Sequence, residues 1–280
     1  MGGTRLDSHR TGRMKKYWHV IGIGIQNNLT YRVNYLTRTL FSFIPLFAML
    51  SLWRTIYGEK GGAALSGYTQ AEMIFYYMMV AVVDVLTAVN EDDWQIATDI
   101  REGNISQFLL KPIDYLWYLL CLFFSGRIAF MSMACVPLAV FIFCFRKYFL
   151  LPPDAGVFVL FLVSIVLTAF LQFFISYTMA MLAFWFLEIS TLIFILFAIE
   201  YLASGHLFPL DLLPPVINHL LFFTPFPSML YVPISIYMGR ITGGQIWLGL
   251  LVQLLWLVLS YGLARFAWRR GIRKYAAFGG

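Results

Sequence analysis

Apolar residues run along this chain in blocks long enough to cross a bilayer, and one long polar stretch stands between two of them. That stretch is Asn90 to Asp114, NEDDWQIATDIREGNISQFLLKPID. Glu91 to Glu102 reads as a short helix whose first turn gathers acids, where the positive end of the helix dipole favours them. Gly103 stops it. Asn104 followed by Gln107 resembles a capping box, so a second short helix should carry Ile105, Phe108 and Leu109 on one face before Pro112 ends it. On the first helix Ile96 and Ile100 face one way, leaving Asp92, Asp99 and Glu102 available to a partner. The expectation is an amphipathic helix pair at a membrane surface; a solvated loop between two spans is the plainer alternative.

The apolar blocks predict six spans, about residues 39–57, 71–89, 120–145, 157–186, 189–207 and 246–268, since roughly 20 apolar residues cross the hydrocarbon. From Lys15 to Arg38, Trp18, Ile21, Ile25, Leu29, Val33 and Leu36 recur at helical spacing with polar residues opposite. This predicts a helix over 15–38 lying in the membrane interface. The run Tyr115 to Phe145 exceeds one upright crossing and contains Arg127. A kinked, lateral entry with Arg127 near the membrane surface avoids a charge at mid-depth. Asp84 and Glu200 fall inside spans and should point into the protein, because an acid facing lipid is costly.

Leu207 to Gly239 would read as another span but for Pro209, Pro214, Pro215, Pro225, Pro227 and Pro233. Non-helical backbone at membrane depth must be buried in protein or line a cavity. A re-entrant hairpin acting as an outer gate fits, with an external loop resting on the bilayer as the alternative. Pro209 and Pro214 would bound the descending piece and Pro225 with Pro227 the turn back. Leu220 to Phe223, including Phe222 and Phe223, would form a hydrophobic plug.

Composition agrees with an all-α integral membrane protein. The 280 residues are 60% hydrophobic and 12% charged, against roughly 45–50% apolar in soluble domains. Basic residues gather before Arg38, after Arg265 and at Arg101, Lys111 and Arg127, so the positive-inside rule places both termini and the Asn90 to Asp114 segment in the cytoplasm. No basic stripe with stacking aromatics points to nucleic acid. Cys121, Cys135 and Cys144 lack the paired spacing of a metal or redox site. Residues 1–13 are polar, without the apolar core of a signal peptide, and read either as a disordered tail or as an extension ahead of a working start at Met14; 14–280 reads as one domain.

No Walker loop, His-Glu-x-x-His helix or nucleophile elbow occurs. The histidines at 9, 19, 206 and 219 are scattered and read as structural or interfacial. Asp84, Glu188 and Glu200 lie too far apart along the chain to suggest an enzyme, while a proton-coupled carrier or channel through Asp84 or Glu200 stays open.

Two motifs carry a resemblance. Asp99-Ile100-Arg101-x-Gly103 with Leu109-Leu110-Lys111-Pro112 follows the second span. Ser204-Gly205-x-x-x-Pro209-Leu210-x-x-Leu213-Pro214, then Pro225-Phe226 and Pro233, precedes the last. With six spans and cytoplasmic termini, the chain resembles ABC type-2 exporter permeases, most closely the bacterial drug or viologen exporter branch. The resemblance covers nearly everything from Met14 onward. It implies a transport subunit of the bacterial cytoplasmic membrane, without cofactor or metal of its own, whose coupling helices dock on a separate ATPase that binds ATP and Mg. It further implies a second permease chain, same or homologous, around a shared path. Asp92, Asp99, Arg101, Glu102, Gly103 and Leu109 are then the coupling residues, and Pro209, Pro214, Phe222, Phe223 and Pro225 the outer gate.

Overall fold

The computed structural model describes residues 4–30, 32–59, 61, 63–88, 92–186 and 188–278, and the elements formed by them are helical. In chain order they are α1 (Thr4–Thr30), α2 (Arg32–Glu59), α3 (Gln70–Thr87), α4 (Asp92–Arg101), α5 (Ile105–Leu109), α6 (Tyr115–Cys144), α7 (Ala155–Met181), α8 (Ser190–Ala203), α9 (Pro215–Phe222), α10 (Tyr231–Tyr237) and α11 (Gly244–Phe278). Among the described residues, five stretches are long and apolar enough to cross a membrane: Thr39–Glu59, Gln70–Thr87, Tyr115–Cys144, Ala155–Phe184 and Gly244–Tyr275.

Several expected boundaries move. Helical backbone begins at Thr4, inside the stretch read as a polar tail. The interfacial helix expected over 15–38 ends at Thr30, and 32–38 belong to the first spanning helix. No glycine or proline separates 32–38 from the apolar run behind it, and extending an existing helix costs little. The first helix also does more than rest at an interface. It packs along α6, where Gly24 sits so close to Ser125 that an added Cβ would clash.

Across Arg127, α6 continues as one helix of 30 residues, with Pro137 inside it. The Arg127 side chain is buried, its guanidinium 5.8 Å from the Phe123 ring centre and 5.3 Å from that of Phe130. Aromatic faces are favourable neighbours for a guanidinium, so the charge is accommodated within the helix packing. The fifth expected span shortens to the 14 residues of α8, about 21 Å at the helical rise per residue. Beyond it the chain leaves the helix at Ser204, whose carbonyl accepts from the Tyr231 amide at 3.0 Å.

Two large apolar clusters organise the packing. One joins α2, α3, α10 and the start of α7 through Tyr57, Tyr76, Phe161, Ile234 and Tyr237. The other joins α4, α5 and α6 to the ends of α7 and α11 through Ile100, Ile105, Leu116, Tyr177 and Ala267. The short polar helices thus sit at one end of the bundle and the proline-rich stretch at the other.

Candidate functional site

At the first end, Ile96, Ala97 and Ile100 of α4 and Ile105 of α5 are buried, the isoleucines 3–4% and 1% exposed. Gly103 makes the elbow between the two helices with φ +79°, a conformation glycine adopts without the Cβ penalty. The last turns of α11 hold that elbow. Tyr275 Oη donates to the Gly103 carbonyl at 3.1 Å and shares a 2.6 Å hydrogen bond with Ser106 Oγ. Arg265 Nη1 donates to Asp114 Oδ2 at 2.6 Å, while the other oxygen of Asp114 accepts from the Trp117 amide and caps α6. The expected capping box at Asn104 does not form. Asn104 is itself helical, and its side chain donates to Glu102 Oε2 at 3.2 Å.

The opposite side of the α4–α5 pair faces outward. Arg101, Glu102, Asn104, Gln107 and Leu109 are exposed, Leu110 is 87% exposed, and Asp99 is half-buried with Gln95 Nε2 3.1 Å from its Oδ1. Arg101 lies 3.9 Å from Glu188. Asp92 opens α4, and its side chain falls outside the described residues.

At the other end, polar groups lock the proline-rich stretch to α3. Tyr76 Oη donates to the Gly205 carbonyl at 2.7 Å, and Tyr77 Oη donates to that of Leu207. Asp211 accepts from both Tyr68 and Tyr231, each at 2.6 Å. Burial and the Asp211 carboxylate push the Tyr68 hydroxyl far above its ordinary pKa, so it stays a protonated donor. Arg240 bridges to Glu72 at 2.9 Å and lies 3.8 Å over the Tyr68 ring. Deeper in, Gln253 of α11 accepts from Ser164 at 2.9 Å and donates to the Ser228 carbonyl at 2.8 Å.

The expected gate residues divide. Pro209 is buried and Pro225 half-buried, whereas Pro214, Phe222 (41% exposed) and Phe223 (80%) are exposed. No residue of α9 is buried, but all of α10 and the preceding Pro227, Ser228 and Met229 are. Within one chain the long buried run of the stretch is therefore 227–237, not Leu220 to Phe223.

Between the ends, Asp84 and Glu200 come together with a residue read as merely structural. His206 Nε2 is 3.0 Å from Asp84 Oδ1, and its Nδ1 is 2.7 Å from Ser204 Oγ. Two adjoining cavities of about 260 and 320 Å3 share Asp84, Ala88, Tyr201 and His206 as lining; Glu200 and Gln172 line the second. No cluster that could hold a metal ion occurs among the described residues.

A model of the family described as ABC-2 family transporter protein matches residues 43–279. The chain belongs to the ABC-2 transporter family. No curated protein matches it significantly. This ABC-2 chain is a multi-pass membrane transport component with an all-helical body. Family membership and the packing together frame what sequence reasoning missed. Asp84 and His206 are 122 positions apart, and Asp211 meets Tyr68 from 143 positions away. The one local signal was the position of His206 inside the Ser204-Gly205-x-x-x-Pro209 motif.

Proposed function

We propose that this ABC-2 chain is the permease subunit of an ATP-driven exporter in a bacterial cytoplasmic membrane, with both termini in the cytoplasm. The α4–α5 pair is its coupling element. A separate ATPase subunit carries ATP and Mg, and a second permease chain, same or homologous, completes the path. The observation that supports this most directly is the two-sided build of the α4–α5 pair. Its isoleucines and the Tyr275 latch fasten it to α7 and α11, while Arg101, Glu102 and Leu109 are exposed and Asp99 is half-buried. A push on that side is transmitted to two spanning helices at once. Pro209, Pro214, Phe222, Phe223 and Pro225 belong to the outer gate in the same reading.

The test is reversal of Asp99 and Glu102 together to arginine. Truncating one partner of a desolvated charge pair costs about 2–5 kcal/mol, so the variant should fold normally, lose its ATPase on co-purification and stop transporting. Normal co-purification with normal ATP-driven transport would place docking elsewhere. The second reading, a proton-coupled carrier, is favoured by one observation, the Asp84–His206 pair between the ends of the bundle. Transport driven by a proton gradient without the ATPase would support it.

A further inference from the structure

The end of α11 that carries the Tyr275 latch turns two kinds of residue to one side. At about 3.6 residues per turn, Arg269, Arg270 and Arg273 share an arc of the helix with Leu251, Leu255, Leu259, Leu263 and Phe266, and all of them are exposed. The opposite arc carries Ala264, Ala267 and Gly271, which are buried, and Gly271 lies so close to Phe184 that an added Cβ would clash. That packing sets the rotation of the helix and keeps the three arginines turned outward.

The fourth arginine of α11 behaves differently. Arg265 is paired with Asp114, whereas none of the ion pairs among the described residues includes Arg269, Arg270 or Arg273. Arg273 stands one turn beyond both Arg269 and Arg270, spacings that make side chains neighbours on a helix surface and that disfavour like charges. The Arg270 guanidinium lies 5.4 Å from the centre of the Phe266 ring. An anion seated among these guanidiniums relieves their repulsion. A phosphate suits them, because arginine can meet it with two parallel hydrogen bonds.

Depth decides which phosphate. Trp247 is exposed near the other end of the same helix, about 33 Å from Arg269 at the helical rise per residue. The hydrocarbon core of a bilayer is about 30 Å thick. Tryptophan favours the membrane–water interface, and arginine near a helix end reaches toward it. The exposed aliphatic face between them is therefore coated by acyl chains, and the arginines stand level with the headgroups of those same lipids.

We propose that this end of α11 binds an anionic phospholipid, its phosphodiester held among Arg269, Arg270 and Arg273 and its acyl chains lying along Leu263 and Phe266. A zwitterionic lipid offers the same phosphate but brings a cation to the cluster. The proposal rests on the chain being a membrane protein and not on how it meets an ATPase.

The experiment titrates the delipidated full chain in non-ionic detergent with phosphatidylglycerol and, separately, phosphatidylcholine, counting individual bound lipids by native mass spectrometry. A basic residue near the membrane surface is worth about fivefold in affinity for an anionic lipid, so phosphatidylglycerol should bind about a hundredfold more tightly. Replacing Arg270 and Arg273 together with glutamine should lower that preference about twenty-fivefold on the same grounds. The matched control, Arg146→Gln with Lys147→Gln, removes two exposed positive charges just past the far end of α6 and should leave the preference intact. All four side chains are exposed, so both variants should fold. Glycerol phosphate, which has a charged phosphate and no tails, should fail to displace the lipid. Equal binding of the two lipids, equal loss in both double variants, or displacement by glycerol phosphate at the lipid's own concentration overturns the proposal. Loss of the preference on assembly with an ATPase would also overturn it, giving the arginines to a protein partner. Failed docking in the Asp99 and Glu102 reversal leaves lipid binding by the isolated chain untouched, so the two proposals fail separately.

Discussion

The two ends of the bundle solve opposite problems with similar lengths of chain. The α4–α5 segment buries four small-to-medium apolar side chains and leaves its polar side open. The proline-rich stretch buries everything from Pro227 to Tyr237 and leaves α9 and the Phe223 that follows it open with an apolar side, Phe223 at 80% and Leu220 at 63% exposure. An open polar side suits a soluble partner. An open apolar one needs lipid or another chain. Prolines explain why the second end is the more deeply packed: each removes a backbone donor and prevents a continuous helix, so the freed carbonyls must find partners inside the protein. Tyr76 and Tyr77 supply two of them, at Gly205 and Leu207.

The sharpest way to break this contrast is to truncate one residue at each end. Ile234 of α10 is fully buried, and large-to-small changes at such sites cost about 2–5 kcal/mol through lost packing. Leu110 beside α5 is 87% exposed, and surface substitutions stay within about 0.5 kcal/mol. Ile234→Ala should therefore lower the thermal midpoint of the purified chain strongly and Leu110→Ala barely. Similar shifts would mean that the two ends are not packed differently.

A smaller effect comes from the polar staple behind the proline-rich end. Gln253 is fully buried and joins Ser164 of α7 to the Ser228 carbonyl. Gln253→Leu leaves the Ser164 hydroxyl without its acceptor and the Ser228 carbonyl with only the bond from Thr168, a loss of about 1–3 kcal/mol. Hydrogen exchange should quicken at residues 226–231 while the α4–α5 segment keeps its protection. Uniform quickening would show one cooperative body rather than two independently fastened ends.

The α4–α5 end was the more legible in sequence, and the reason is range. Its signals are local: acids at a helix start, Gly103 with φ +79° at the elbow, Ile96 and Ile100 one turn apart. Where even that reading failed, the backbone decided. Asn104 has φ −59° and ψ −23°, whereas a capping residue needs an extended backbone; the capping box that does form is at Thr69 and Glu72, where φ −75° and ψ 163° permit it. At the proline-rich end the breaks were visible but not the partners, because tyrosine hydroxyls inside apolar runs carry no periodic signal. Asp84 and Glu200 stood out as charges within spans, while the pairing of Asp84 with His206 became recognisable only once the helices had been packed.

The latch on the elbow tests the coupling side with a modest perturbation. Tyr275→Phe removes only the hydroxyl shared by Gly103 and Ser106, worth about 0.5–1.5 kcal/mol. Its stability effect should be slight, yet amide exchange at residues 103–109 should rise and the transport gained per ATP hydrolysed should fall. Unchanged exchange in that segment would mean that Tyr275 merely rests against an elbow fixed by its own packing.

The least stability is at stake in α9, where the question is what its exposed phenyl rings face. Replacing Phe222 and Phe223 with alanine removes side chains that are 41% and 80% exposed, so the midpoint should move by no more than about 0.5 kcal/mol in stability. If these rings close an outer gate against a second permease chain, the same pair of changes should raise cargo leak and ATP hydrolysis in the absence of cargo. Cysteine placed at Phe223 then separates three environments. A gate predicts protection from both a membrane-impermeant and a lipid-soluble maleimide in the resting complex, with impermeant labelling appearing during ATP turnover. Cysteine at Leu230, fully buried in the same stretch, should stay protected throughout and serves as the internal control. Prompt labelling of the Phe223 position by the impermeant reagent at rest would leave α9 a surface helix, and labelling only by the lipid-soluble one would make it an interfacial anchor.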